Sequence, residues 1–147
     1  MSAQRRQSII AVVLGLGAIL FGLATIISGG RVLFGDAAVR SAAGAVVPFV
    51  LWFNFAAGFA YVAAGLGLMA RKDWAVWLSI VIAAATVLVF AAFGLHVWRG
   101  GAYELRTVAA MSMRSIVWIS IAITASRLAK SWNSRIGRSG TGGIRHA

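Results

Sequence analysis

Residues 46–98 read VVPFVLWFNFAAGFAYVAAGLGLMARKDWAVWLSIVIAAATVLVFAAFGLHVW, two long apolar runs parted only by Ala70, Arg71, Lys72 and Asp73. A helix needs roughly 20 mainly apolar residues to cross a hydrocarbon core of about 30 Å, and both runs meet that length. So short a connection makes the two helices neighbours running in opposite directions. Pro48 suits the first turn of the earlier helix, where its missing N–H costs nothing. Two further apolar runs, at residues 8–28 and 103–126, flank this hairpin. Membrane strands would be about 9–11 residues long and would alternate in polarity, and none of the four runs does so. In hydrocarbon every backbone amide needs an internal partner, so helices remain. The expected fold is all-α: an integral-membrane four-helix up-down bundle over residues 1–126, followed by a basic tail at 127–147.

Composition agrees. Of 147 residues 61% are apolar and 12% charged, against about 45–50% and 25% in soluble domains. Too few polar groups remain to cover a soluble surface, and the apolar excess excludes disorder of the whole chain. There is no Cys, which excludes a disulfide scaffold, a thiol nucleophile and a Cys-ligated metal. Arg5 and Arg6 before an apolar run resemble the start of a signal peptide. A signal core is about 7–15 residues long, this run is longer, and no Ala-x-Ala site follows it, so a retained helix is expected.

Charge sets the expected orientation. Four spans put both termini on one side, which would carry Arg5, Arg6, Arg71, Lys72, Arg127, Lys130, Arg135, Arg138 and Arg145. The other side would carry Arg31, Arg40, Arg99 and Arg106. The positive-inside rule then makes both termini cytoplasmic, in a bacterial-type inner membrane. Trp74, Trp77 and Trp98 fall near span ends, where indoles favour the interface. A net charge of +11 would suggest nucleic acid in a soluble protein. Here the charge flanks spans, where it attracts anionic lipid on the cytoplasmic face, and the aromatics lie inside the spans. No nucleic-acid partner is expected. In the tail, Leu128, Trp132 and Ile136 share a helix face, which suggests a short helix on the leaflet. Gly137, Gly140, Gly142 and Gly143 then read as a disordered end.

Small residues suggest how the spans pack, because helix association in lipid depends on close approach. Ala11, Gly15, Ala18, Gly22, Thr25 and Gly29 form a ridge spaced 4, 3, 4, 3, 4 along the first span. Asn54, Gly58, Tyr61 and Gly65 repeat that spacing on the second. Both ridges are expected to face inward, with Gly15, Ala18, Gly22, Gly58 and Gly65 at helix contacts.

Polar residues inside spans mark candidate function, because they are costly there. Glu104, Thr107, Met111, Arg114 and Trp118 form one stripe on the fourth span. Arg114 lies 11 residues after Tyr103, roughly 16 Å in and near the bilayer centre. Helical side chains lean toward the helix N-terminus, so Arg114 should reach outward toward the level of Asn54. With Asn54, His96, Glu104, Thr86 and Thr107 it could line an outward-opening pocket between the second, third and fourth spans. Phe49, Trp52, Phe53 and Phe55 would supply its apolar wall. Such a pocket would suit a small amphiphile with an anionic or quinone-like head. The bland readings stand beside this one. Arg114 and Asn54 could serve as interhelical glue, His96 as an interfacial residue, and Glu104 as a helix-dipole partner. Met111 and Met113 read as core filler.

Metal and catalytic motifs are missing. There is no His-Glu-x-x-His, no Gly-x-Ser-x-Gly and no Walker loop. The three carboxylates are too scattered for paired acid–base work, and no internal repeat supports an inverted-repeat transporter. The segment Gly58-Phe-Ala-Tyr-Val-Ala-Ala-Gly65-Leu-Gly-Leu-Met-Ala-Arg-Lys-Asp-Trp-Ala75 resembles the middle of small DoxX-like four-helix membrane proteins. These share a short basic hairpin after a Gly-rich second helix. They often carry an acidic residue in that helix, where Phe59 and Tyr61 stand here. The resemblance implies an up-down bundle and no activity. Three functions are consistent with the sequence. The first is a non-enzymatic accessory, assembly or amphiphile-binding protein. The second is a quinone-linked redox component. The third is a small transporter or channel acting as an oligomer, in which Arg114 would favour anions.

Overall fold

The computed structural model describes the backbone of residues 3–140 and the side chains of residues 5–130. The described chain is helical, with no strand among the described residues. It comprises α1 (Ala3–Phe34), α2 (Ala37–Ala43), α3 (Pro48–Met69), α4 (Asp73–Trp98) and α5 (Leu105–Gly140). Four of these, all but α2, are long and apolar enough to cross a membrane. Large apolar side chains such as Val13, Leu20, Val81, Leu88 and Ile116 stand exposed on their outer faces. In water such a girdle would drive aggregation; against acyl chains it is the expected surface. The chain is a multi-pass membrane protein.

α1 and α3 form the tightest pair, and their contact is built on glycine. A Cβ placed on Gly22 would lie 2.7 Å from the Gly58 carbonyl, and one on Gly65 would lie 2.6 Å from the Gly15 carbonyl. Both are closer than real Cβ contacts allow, so only glycine permits this spacing of backbones. Ala18 lies fully buried in the same seam. These contacts pair rising numbers on α1 with falling numbers on α3, so the two helices run in opposite directions.

α3 ends in a tight turn at residues 70–72. The Lys72 amide donates to the Gly67 carbonyl at 2.9 Å, and Arg71 takes a φ of 53°. The Arg71 guanidinium also meets the Ser8 hydroxyl of α1. α4 packs beside α3, brought in where Gly67 faces Ala75, and α5 packs on α4. Across the interior, Asn54 meets Met111 and Tyr61 meets Trp118, so α3 and α5 run in the same direction. α1 and α5 touch at few points, leaving a seam between them.

Three boundaries differ from expectation. α1 runs on through Gly29 and Gly30 to Phe34, because both glycines pack against Phe55, and a packed glycine is no helix stop. Residues 37–43, between the first two apolar runs, form α2, whose first turn is capped by the Asp36 carboxylate accepting from the Val39 amide at 2.9 Å. α5 continues unbroken past residue 126 to Gly140, so the short helix expected in the tail is the end of the fourth span itself. Leu128 is buried rather than on a free face. Residues 137–140, expected to be disordered, are helical; residues 141–147 lie outside those described.

Candidate functional site

A cavity of about 500 Å³ opens between α1, α3 and α5, with α2 across one end. Its walls are mainly Val, Ala and Leu side chains, among them Val32, Val39, Val47 and Val50. Its polar groups are Thr25, Ser28, Asn54, Thr107, Arg106 and Arg114. The expectation of a pocket between the second, third and fourth spans is therefore corrected. α4 contributes no wall, because it packs tightly between α3 and α5, and the space lies at the loosely closed α1–α5 seam instead. The expected aromatic wall is absent as well. Phe49 and Trp52 are exposed, Trp52 and Phe55 stack edge-on with Phe34 of α1, and Phe53 packs on the core.

Arg114 is the centre of the site. Its hydrogen bond does not go to Asn54, whose amide donates instead to the fully buried Met111 sulfur at 3.7 Å. The guanidinium turns toward α1. There Nη2 lies 3.5 Å from the Thr25 hydroxyl, and Cζ sits 5.8 Å from the centre of the Phe21 ring. Phe21 stacks on Tyr61 at 5.8 Å, and Tyr61 lies 4.5 Å from Trp118. One cation thus caps a ladder of three rings, a contact worth about 0.5–2 kcal/mol. That is small against a cost of at least about 2.5 kcal/mol for arginine at the centre of a spanning helix. The Nε of Arg114 and the Oδ1 of Asn54 are both buried without a hydrogen-bond partner.

The mouth beside α2 is fastened by the start of α5. Arg106 donates to the carbonyls of Ala42 and Ala43, the last two residues of α2. Glu104 accepts from the Ala45 amide at 2.9 Å. The cation thereby meets the negative end of a helix and the carboxylate takes an amide just beyond it, the charge placement that free helix-end groups favour. Between them sits Gly44 at φ 73°, where a Cβ would stand 2.9 Å from the Glu104 carboxyl carbon.

Of the residues singled out from sequence, Arg114, Asn54 and Thr107 share the cavity wall, and Glu104 holds its rim. Thr86 is fully buried between α4 and its neighbours, close to the Tyr61 hydroxyl and away from the cavity. His96 lies elsewhere, with Nε2 3.2 Å from the Ala102 carbonyl and its ring edge-on to Phe49. Among the described residues no group of three or more His, Cys, Asp or Glu could hold a metal ion. Sequence reasoning missed Phe21 as a partner of Arg114 and read Thr25 only as part of a packing ridge. For α2 the sequence offered only Asp36, an N-cap residue type ahead of an alanine-rich run, which alone does not mark a helix. No protein-family model matches this chain, and neither the curated proteins nor the solved structures give a match.

Proposed function

We propose that this chain is an up-down bundle of the inner membrane, with both termini cytoplasmic, whose work is to hold a small amphiphile in the cavity around Arg114. It acts without catalysis of its own, as a binding, accessory or assembly component. One observation carries the reading. A guanidinium ten residues into the apolar part of α5 borders a cavity of small-molecule size, and its Nε is buried with no partner. Arginine used only as glue would be expected to spend its donors on neighbouring helices, yet among the described residues this one makes one long hydrogen bond, to Thr25, beside its contact with the Phe21 ring. The cavity walls are apolar with a few convergent polar groups, the usual make-up of a small-molecule site. Arg71 and Lys72 at the hairpin, with the basic residues at both chain ends, support the cytoplasmic side and contact with anionic lipid there.

The test is extraction of the protein in a mild detergent and mass spectrometry of what travels with it. A defined amphiphile at near-stoichiometric amount in the native protein, lost from Arg114→Gln, is the expected result. Annular lipids alone, equal in both proteins, would count against the reading.

A further inference from the structure

Resting on that reading, we infer that the ligand is a single-chain amphiphile whose head bears one net negative charge, and that it enters from the bilayer through the α1–α5 seam. The charge follows from elimination. The chain has three acidic side chains. Asp36 caps α2, Asp73 opens α4 beside the 70–72 turn, and Glu104 is bound to the Ala45 amide. Glu104 is also ten residues before Arg114 on the same helix, about 15 Å away along the axis. Among the described residues Arg114 therefore has no carboxylate partner, although the group lies among apolar side chains. A monoanionic head neutralises it, and a carboxylate or phosphate is the natural charge-assisted hydrogen-bond acceptor for a guanidinium that lines the cavity. A neutral quinone would leave the charge uncompensated.

The route follows from what closes each side. α3 walls the back. Arg106 and Glu104 hold the end of α2 across one mouth. Phe21, Tyr61 and Trp118 fill the space beyond Arg114. What is left is the seam where α1 and α5 scarcely touch, the side through which a lipid-borne ligand would come. A volume of about 500 Å³ is that of a drug-sized ligand, too small for a two-chain lipid, and the Val- and Ala-rich walls suit one hydrocarbon tail.

The experiment uses the full chain in nanodiscs of zwitterionic lipid. Hexadecanoate, hexadecyl phosphate, hexadecanol and a short-chain benzoquinone are titrated in at pH 8 and followed by calorimetry. At least one of the two anions is expected to bind tenfold or more tightly than hexadecanol, and the tighter of them identifies the head as carboxylate or phosphate. Arg114→Gln should erase that margin, and Ala110→Trp, which fills the seam and keeps the cation, should weaken every ligand. The comparison of anion with alcohol in the unaltered protein needs no variant to fold. If hexadecanol or the quinone binds as well as the anions, the charge inference is overturned while the amphiphile reading survives. If no compound binds, both fall.

Discussion

Arg114 is the residue on which the account turns, and its surroundings make a prediction that separates two roles. A guanidinium acting as structural glue stabilises the fold, so its removal should lower the melting temperature. A guanidinium left short of partners for a ligand is a burden on the empty protein, and its removal should not. Arg114→Met is therefore expected to melt at the same temperature as the native chain or above it, in a detergent free of amphiphile. A fall of more than about 5 °C, on the order of 1–2 kcal/mol for a chain of this size, would favour the structural role. Gly22 makes the opposite case. Any side chain there meets the Gly58 carbonyl at a backbone-to-backbone contact with nothing flexible to yield. Gly22→Leu should cost about 1–3 kcal/mol, as overpacking does, and thermal melting in detergent reads the loss. That Arg114 stands apart was legible in the sequence, because one charge in a long apolar run is conspicuous. Its direction was not, because that depends on which neighbour fills the space above it. Here the Asn54 amide is taken by Met111, and the arginine meets Thr25 and Phe21.

Among the elements, α2 is the one whose position is held by few groups. It has no buried residue, and its end is tied down through Arg106 and Glu104. Cutting one tie should loosen that end without unfolding the long helices, since segments with few buried contacts open independently of the core. In Arg106→Ala, hydrogen exchange of the amides at residues 42–46 is expected to rise several-fold while that of α3 stays unchanged. Equal exchange in both proteins would show that α2 is held by something else. The long helices were readable because apolar runs of spanning length have one solution in lipid. The short helix was not, because seven residues carry too little pattern and their placement depends on side chains about sixty positions away. The same remoteness explains the misplaced pocket. Spacing along each helix suggested inward faces, but which pair of helices stays apart is a property of their mutual packing. The glycine ridges bind α1 to α3 and leave α5 to α4.

At the scale of the whole molecule the proposed orientation is open to a direct reading. The chain has no Cys, so single introduced thiols report without background. Ser41→Cys in α2 should react with a membrane-impermeant maleimide on intact spheroplasts, and Ser139→Cys only after lysis. The reverse pattern would invert the molecule and place the α2-covered mouth inside. The clearest test of the central claim is photo-crosslinking with a sixteen-carbon fatty acid carrying a diazirine near its carboxylate, followed by peptide mapping. Adducts should concentrate on α1 around Thr25 and Ser28 and on α5 around Thr107 and Ala110, and should disappear in Arg114→Gln. Adducts spread evenly over lipid-facing residues such as Leu20, Leu88 and Ile116, and unchanged by that substitution, would contradict it.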